Sequence, residues 1–234
     1  MPRQALQVNA VWAVLAAAGT GERLGADRPK AFANLGGRVL LAESLERLER
    51  SDWIDAIVIV APVGWEEPAI LLAEELSAGK VNACVPGGAT RAESVRAGVA
   101  EVPDDAAVIL VHDAARPFLP DDVIERVLTV LGEGWDGAVP GLRVADTIKR
   151  AGSDGGVVET LERDGLVAVQ TPQAFVAATL KRAFASFTQA ATDCAAFVEA
   201  AGGRVRVVDG DPRLVKVTTA ADLELVERLL EEVR

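Results

Sequence analysis

The sequence is poor in the residues that most often carry metal or nucleophilic chemistry. It contains one histidine, His112, and two cysteines, Cys84 and Cys194, among 234 residues. A zinc site built on several imidazoles is therefore excluded, and two thiols far apart in the sequence offer little for a cysteine-rich one. A Ser–His or Cys–His hydrolase would depend on His112 alone. Any chemistry should rest on positioning and charge more than on a titrating base.

The chain also lacks a surplus of positive charge and a long apolar run. With 24 Lys and Arg against 35 Asp and Glu, its formal net charge is −11. Nucleic-acid binders need the opposite balance, so we expect no nucleic-acid partner, and any phosphate site must be a local cluster of Arg and Lys. No apolar segment has the length of a membrane span, and no secretory leader is evident. These features favour a cytoplasmic protein with no membrane partner, and the length favours a single domain over residues 1–234.

Apolar, strand-like runs alternate with amphipathic helical patterns along the chain. The strand candidates are Val11–Ala18, Ala56–Ala61, Val81–Val85, Ala106–Val111 and Arg204–Val208. Helices are expected over Val39–Arg50, Glu67–Leu76, from about Thr90, and over Asp121–Leu131, Ala174–Phe187 and Asp193–Ala201, with a last helix capped by Thr219 to Asp222. Continuous apolar strands separated by helices predict an α/β fold with a Rossmann-like, doubly wound, mostly parallel sheet.

One stretch, from about 142 to 170, breaks this rhythm. It is polar, contains four glycines at 152, 155, 156 and 165, and lacks a long helical stripe. We interpret it as a β-arm that projects from the sheet and could reach a second subunit.

Ligands of such sheets bind beyond the carboxyl ends of the strands, so the segments that follow each strand are the candidates. After the first strand comes LAAAGTGERLGADRPKAF, from Leu15 to Phe32. Gly19 and Gly21 allow backbone amides to turn toward an anion, and Arg23 and Lys30 supply positive charge. A glycine turn with solvated charges is the alternative interpretation.

Two better-known phosphate loops do not fit this segment. A dinucleotide fingerprint would place a third glycine where Leu24 stands, and an acidic residue after the second strand, where the chain has Ala61 and Pro62. A Walker loop would need Gly-Lys-Ser/Thr, whereas Lys30 lies between Pro29 and Ala31.

Three further segments carry candidate residues. In PGGATRAESV, Gly88 permits close approach of a flat base, with Arg91 and Ser94 one helical turn apart; the alternative is that Thr90 caps a helix and Arg91 is solvated. In VHDAARP, Asp113 ends an apolar strand, where one carboxylate can hold Mg²⁺ on triphosphate oxygens. The alternative there is a buried Asp–Arg pair bracing a loop, for which Arg116 is the candidate, and His112 is interpreted as structural.

The third group of polar residues is spread over RVADTIK, Arg163, QTPQ and VKVT. Each segment alone is typical of a solvated strand or loop. Together they offer hydroxyls, a carboxylate and cations suited to a polyol phosphate.

These motifs, taken with LERDGL, occur in the order found in the 2-C-methyl-D-erythritol 4-phosphate cytidylyltransferases, and the chain resembles that family from about Val11 to Leu230. The resemblance implies transfer of the cytidylyl group of CTP to a polyol phosphate, methylerythritol phosphate, in non-mevalonate isoprenoid synthesis. It also implies a divalent metal, Mg²⁺, and a homodimer that exchanges the β-arm.

The resemblance also implies residue roles. Arg23, Lys30 and Lys216 would act at the phosphates as catalytic residues, and Asp113 would bind the metal. The expected nucleotide-binding residues are Ala17, Ala18, Gly19, Gly21, Gly88, Arg91 and Ser94. The expected substrate-binding residues are Asp146, Thr147, Lys149, Arg163 and Thr171, with Arg163 supplied by the partner subunit.

The chain departs from the family pattern at four positions. Leu214 stands where Asn is usual, Arg213 replaces an acidic metal ligand of some members, Cys194 replaces an acid, and Glu22 replaces a basic residue. The second metal ligand is therefore open, with Asp209 and Asp211 as candidates.

Three alternative functions fit these residues less well. Ribitol 5-phosphate cytidylyltransferases use the same machinery, but Ala114 and Ala115 favour the methylerythritol enzymes. A non-catalytic nucleotide-binding domain would not need Arg23, Lys30, Asp113 and Lys216 together. A purine nucleotidyltransferase is disfavoured by the GGxxRxxS segment.

Overall fold

A computed structural model describes residues 10–21, 28–186 and 192–232. Its first half contains β1 (Val11–Ala16), a 3-10 turn (Lys30–Phe32), β2 (Asn34–Leu35), β3 (Arg38–Val39), α1 (Leu40–Arg50), β4 (Ala56–Ala61), α2 (Glu66–Glu75), β5 (Val81–Pro86), α3 (Arg91–Ala100) and β6 (Val108–Asp113). The second half contains α4 (Asp121–Gly132), β7 (Gly137–Arg143), β8 (Lys149–Ala151), β9 (Val157–Thr160), β10 (Val167–Val169), β11 (Gln173–Val176), α5 (Ala177–Ser186), α6 (Cys194–Ala200), β12 (Val205–Asp209) and α7 (Ala220–Glu231).

The main sheet has the strand order β10-β7-β11-β6-β1-β4-β5, and β12 also pairs with β7. The pairs β1–β4, β1–β6, β4–β5 and β7–β12 are parallel, whereas β11 and β10 run antiparallel to their neighbours. All six residues of β4 and of β6 are buried, which is why β4 and the first four residues of β6 are apolar; His112 and Asp113 end β6 as buried polar residues. The predicted α/β fold with a mostly parallel sheet is confirmed.

Helices cover both faces of this sheet because successive strand residues point to opposite sides. Leu15 of β1 packs in one cluster with Leu45 of α1 and Val127 of α4. Val14, its neighbour in β1, packs in the other cluster with Val95 of α3 and Leu180 of α5. The two buried layers hold β1 and β6 side by side, so their carboxyl ends are fixed relative to each other.

The helix predicted over Ala174–Phe187 is wrong at its start. Residues Gln173–Val176 form β11, inserted antiparallel between β6 and β7, and α5 begins at Ala177. A run of four residues is too short for its periodicity to separate a strand from the first turn of a helix, and pairing with two strands decides the outcome. Phe187 lies outside the described residues.

The irregular segment contains a separate hairpin of β8 and β9, all of whose residues are exposed. Its ends belong to the main sheet, because Leu142 and Arg143 lie in β7 and Val167–Val169 forms β10 beside it. The protruding part of the predicted arm is therefore shorter than 142–170. None of the helices in the described ranges has both the length and the apolar character that crossing a membrane requires.

Candidate active site

A cavity of about 290 Å³ opens beyond the carboxyl ends of β1 and β6. Its walls come from the segment after β1, the loop before α3 with the start of that helix, the end of β6 and the segment before α7. The lining residues are Ala16, Ala17, Ala18, Gly19, Thr20, Lys30, Ala31, Gly88, Ala89, Thr90, Arg91, Ser94, Asp113, Ala114, Ala115 and Lys216. Four segments predicted separately from the sequence thus meet in one cleft.

The loop after β1 returns on itself to bring Lys30 to this cleft. The Lys30 amide donates to the Gly19 carbonyl at 3.3 Å, and its ammonium Nζ donates to the Val217 carbonyl at 2.8 Å. Gly21 has φ +77°, and a Cβ there would lie 2.8 Å from the Lys30 Cβ, so glycine is needed for the loop to close. Gly21 itself is not among the cavity-lining residues. Arg23 and Glu22 lie outside the described residues.

The glycine pair after β5 packs directly against the first loop. A Cβ on Gly87 would lie 2.2 Å from the Ala18 Cβ, which no backbone of this shape could accommodate. The Gly88 amide donates to the Ser94 hydroxyl at 3.1 Å, and that hydroxyl lies 2.9 Å from the Thr90 carbonyl, to which it donates. These contacts fix the turn into α3, and Gly88 and Ser94 both line the cleft.

Thr90 caps α3, as one alternative predicted. Its hydroxyl accepts from the Glu93 amide, and the Glu93 carboxylate accepts from the Thr90 amide. Arg91, however, is not a solvated residue of the first turn. Its guanidinium reaches into the cleft and pairs with Asp113.

Asp113 is the acidic residue around which the charged side chains of the cleft are arranged, and only 6 % of its surface is exposed to solvent. Arg91 donates from Nε and Nη2 to Oδ1 at 3.0 and 2.8 Å, and Lys216 donates from Nζ to Oδ2 at 2.7 Å. Burial by itself would raise the pKa of the Asp113 carboxyl, but Arg91 and Lys216 outweigh it and hold the pKa well below its usual range. The carboxylate is therefore ionised at neutral pH. The buried Asp–Arg pair considered from the sequence exists, with Arg91 as its partner instead of Arg116.

His112, Thr171 and Arg116 lie behind Asp113. His112 is fully buried, with Nε2 3.1 Å from the Arg116 carbonyl and Nδ1 3.1 Å from the Thr171 hydroxyl. Burial lowers the pKa of His112 to about 4, so its imidazole is neutral at pH 7. The Arg116 guanidinium donates to the Leu214 carbonyl, two residues before Lys216. The structural interpretation of His112 and Arg116 agrees with these contacts.

The model of the 2-C-methyl-D-erythritol 4-phosphate cytidylyltransferase family matches residues 11–232. The chain belongs to this family. The cytidylyltransferase of that name from Rhodococcus jostii (strain RHA1) is 45 % identical over 222 residues, which cover 95 % of this chain and 96 % of the relative.

Solved structures of the family share the fold as well. A crystal structure of 4-diphosphocytidyl-2C-methyl-D-erythritol synthase matches with a TM-score of 0.81 at 34 % identity, over 95 % of this chain and 99 % of the other. The 2-C-methyl-D-erythritol 4-phosphate cytidylyltransferase from Thermus thermophilus matches with a TM-score of 0.76 at 31 % identity, over 93 % and 98 % of the two chains. The chain is therefore a cytidylyltransferase by family, a class of nucleotidyltransferase enzymes.

The residues expected to bind the acceptor of this cytidylyltransferase do not line the chain's own cleft. Asp146, Thr147, Lys149 and Arg163 lie on or beside the arm, where Lys149 donates to the Thr160 hydroxyl at 2.6 Å and Arg163 donates to the Ala145 carbonyl. Thr171 is buried and is absent from the cavity wall. Their role in binding the acceptor stays a prediction.

The departures from the family pattern have structural consequences. Leu214 is fully buried in the core, and the Cys194 thiol lies 3.7 Å from Arg91 Nη1. Burial raises the pKa of Cys194 to about 11, so this neighbour of Arg91 is neutral at pH 7. Arg213 pairs with Asp211 at 2.7 Å and stacks over Phe118.

Neither candidate for a second metal ligand, Asp209 or Asp211, lines the cavity. Within the part of the chain that the structure describes, no three His, Cys, Asp or Glu side chains form a group that could hold a metal. Asp113 is the one carboxylate among the described cavity-lining residues.

Two features of the site escaped the sequence interpretation. The Val217 carbonyl accepts a hydrogen bond from the Lys30 ammonium, and the pairing of Asp113 with Arg91 spans 22 positions. Contacts between residues this far apart in the sequence cannot be predicted from the spacing of neighbouring residues. Ala114 and Ala115 also line the cavity. Their position directly after Asp113 in the sequence is the feature that could have indicated this.

Proposed function

We propose that this cytidylyltransferase joins the cytidylyl group of CTP to 2-C-methyl-D-erythritol 4-phosphate, forming 4-diphosphocytidyl-2-C-methyl-D-erythritol and pyrophosphate in the non-mevalonate route to isoprenoids. The observation that carries the proposal is the cleft of a chain matched to this family over residues 11–232. In this cleft Arg91 and Lys216 pair with one ionised carboxylate, Asp113, and Lys30 lines the same cavity beside the loop after β1.

The chemistry needs no general base. The acceptor phosphate is an anion at neutral pH, and one of its oxygens forms a bond to the α-phosphorus of CTP. The bond from that phosphorus to the oxygen bridging to the β-phosphate breaks, and pyrophosphate leaves in line with the attack. His112, the single histidine, is buried and faces Thr171 and Arg116, so it takes no part in proton transfer with the substrates.

Catalysis then depends on alignment and on stabilising negative charge. Backbone groups of Ala17, Ala18 and Gly19 would hold the phosphates, while Gly88 and Ser94 would form the floor for the cytosine and ribose. Lys30 and Lys216 would neutralise charge that builds on the α-phosphate, assisted by Arg23.

Asp113 fits the role of a magnesium ligand. A carboxylate offers about four lone-pair positions, and the three hydrogen bonds from Arg91 and Lys216 leave about one of them, on Oδ2, for a metal ion. Mg²⁺ in nucleotide sites commonly takes one or two carboxylates together with phosphate oxygens and water, so one aspartate is enough. When bound, the ion would supply neutralisation of the triphosphate charge.

We further propose that the acceptor site is completed by a second copy of the chain. Asp146, Thr147, Lys149 and Arg163 would bind methylerythritol phosphate, yet they do not line the cleft of their own chain. The β8–β9 hairpin exposes Val157 and Val158 by 64 % and 68 %, which gives it apolar surface to bury against a partner. A homodimer formed through this arm would bring the set to the cleft. We place the enzyme in the cytoplasm, consistent with its two free cysteines.

The test is release of pyrophosphate from CTP with methylerythritol phosphate, with ribitol 5-phosphate or with no acceptor, in Mg²⁺ and after chelation by EDTA. We expect pyrophosphate to be released only when methylerythritol phosphate is the acceptor. EDTA should abolish this release, and added Mg²⁺ should restore it. Release only with ribitol 5-phosphate would replace the acceptor. No release under any condition would reject the enzymatic function in favour of nucleotide binding.

A further inference from the structure

Three side chains of the segment 170–173 are buried and polar, and each contacts a different segment of the chain near the site. Gln170, Thr171 and Gln173 flank Pro172 just before and at the start of β11. Burying polar groups is unfavourable unless each finds partners, so the contacts of these three residues indicate what the segment does.

Thr171 links His112 to the backbone of Asp113. The Asp113 amide donates to the Thr171 hydroxyl oxygen at 3.1 Å, and that oxygen lies 3.1 Å from His112 Nδ1. At the far side of the ring, Nε2 lies 3.1 Å from the Arg116 carbonyl. The chemistry of the Arg116 carbonyl determines which atom donates in each of these hydrogen bonds. A carbonyl only accepts, so Nε2 carries the proton of the neutral ring, and Nδ1 accepts the proton of the Thr171 hydroxyl.

The side chains of Gln170 and Gln173 connect the same segment to two other parts of the chain, neither of which lines the cleft. The Gln170 amide group donates to the Asp211 carbonyl at 2.9 Å and accepts from the Asp211 amide at 3.0 Å. Gln173 donates to the Asp193 carboxylate at 3.0 Å and accepts from the Cys194 amide at 3.3 Å. Asp211 leads into the segment of Lys216, and Cys194 contacts Arg91, so both cationic partners of Asp113 are tied indirectly to this segment.

We propose that Thr171 is a positioning residue that acts through Asp113, and that the chain of hydrogen bonds from Asp113 through Thr171 and His112 to Arg116 fixes the carboxylate relative to the nucleotide. This inference rests on the proposed function, in which Asp113 holds the metal-bound triphosphate. It replaces the substrate-binding role expected for Thr171, because the hydroxyl is buried and its single proton is already committed to His112.

The kinetic test compares Thr171→Val, which keeps the shape and removes the hydroxyl, with Thr171→Ser, which keeps the hydroxyl. Thr179→Val is the matched control, because Thr179 is also buried and its hydroxyl also accepts a hydrogen bond, from Arg182, outside the cleft. We expect Thr171→Val to lower kcat about 10- to 100-fold, the usual effect of removing a partner that orients a metal ligand. The KM for methylerythritol phosphate should stay within about twofold of the wild type. Thr171→Ser should recover most of kcat, and Thr179→Val should leave it unchanged.

A second readout does not depend on turnover. Because the chain has one histidine, protein labelled with ¹⁵N-histidine gives ring signals from His112 alone. At pH 7 we expect a neutral ring protonated at Nε2, with Nδ1 accepting a hydrogen bond. Thr171→Val should move the Nδ1 signal toward that of a free acceptor nitrogen, and Thr171→Ser should restore it.

The two readouts separate the possible failures. An increase in acceptor KM with unchanged kcat in Thr171→Val would overturn the positioning role and restore substrate binding. A ring protonated at Nδ1, or an Nδ1 signal unaffected by Thr171→Val, would also overturn it. An inactive wild-type enzyme with the expected ring signals would count against the proposed function and leave the hydrogen-bond chain supported.

Discussion

At the scale of single residues, Lys30 shows how the fold and the chemistry can depend on different atoms of one residue. Its amide closes the loop on Gly19, whereas its ammonium crosses to the Val217 carbonyl at the cleft. Substitution by alanine would keep the backbone bond and remove the charge.

We therefore expect Lys30→Ala to remain folded and to lose at least about 100-fold in kcat, the scale of removing one charge-stabilising donor from a transition state. Lys30→Arg should recover only part of the loss, because a planar guanidinium replaces a compact ammonium. Pyrophosphate release and thermal unfolding measure the two effects. Arg50→Ala, an exposed residue paired with Glu46, serves as the control and should change neither. Near-normal turnover of Lys30→Ala would remove this side chain from the mechanism.

The residue scale also shows where sequence reasoning succeeds and where it stops. Gly88 and Asp113 could be predicted to share a site, because they lie at the ends of strands whose carboxyl ends meet at one sheet edge, whereas only the family resemblance placed Lys216 there. The ion-pair partner of Asp113 could not be predicted in this way. Arg116 is three positions away and was the natural candidate, yet it turns to Leu214 while Arg91 reaches across from α3. The packing of helices and strands determines which partner a long side chain reaches, and the spacing of residues in the sequence does not reveal that packing.

At the scale of elements, α7 begins immediately after the segment that carries Lys216, so its start helps to place that segment. The Asp222 carboxylate accepts bonds from the amides and hydroxyls of Thr218 and Thr219. These bonds, with that of the Thr218 hydroxyl the strongest, lower the pKa of Asp222 to about 2. The capping pattern visible in the sequence is thus also a source of pH-dependent stability.

Asp222→Asn should lower the free energy of unfolding by about 1 kcal/mol at pH 7, the usual size of a cap in a partly solvated position. The pKa of Asp222 in the folded protein lies below the ordinary value near 3.9. The stabilisation is therefore complete at pH values above about 4 and disappears as the pH falls through about 2. Denaturant unfolding should show a difference between wild type and variant that is constant from about pH 7 to 5 and narrows below about pH 4. Glu224→Gln, exposed on the same helix, is the control; a constant difference down to about pH 2.5 would contradict the assignment.

The strand β11 marks the limit of prediction for elements. Long helices and buried strands agreed with the sequence to within two residues, as in α1 and β4, because their periodicity extends over enough positions. Gln173–Val176 is short, and the register that pairs Gln173 with Val111 depends on residues more than sixty positions away. That pairing also sets Thr171 behind Asp113, so the error in the element concealed the arrangement of the site.

At the scale of the whole molecule, the candidate groups divide into two sets. Lys30, Arg91, Asp113 and Lys216 share one cleft, whereas Arg163 lies at the base of the arm beside Arg143 and Asp164. The sequence could indicate an arm from its break in rhythm, but the position of a partner copy depends on surfaces that no single-chain pattern describes. If the arm completes the cleft of a second copy, each complete site needs residues from two chains.

This division makes a quantitative prediction for mixed dimers of two inactive variants. When Lys30→Ala and Arg163→Ala are refolded together in equal amounts, half of the dimers should contain one chain of each kind. One cleft in each mixed dimer then has its own Lys30 and an intact Arg163 from the other chain, so activity should recover to roughly a quarter of the wild-type value. Lys30→Ala mixed with Lys216→Ala is the control, because both residues line the cleft of the same chain and no mixed dimer contains an intact site. Recovery in the first mixture and none in the second would establish sharing between subunits, whereas no recovery in either would place Arg163 in the site of its own chain.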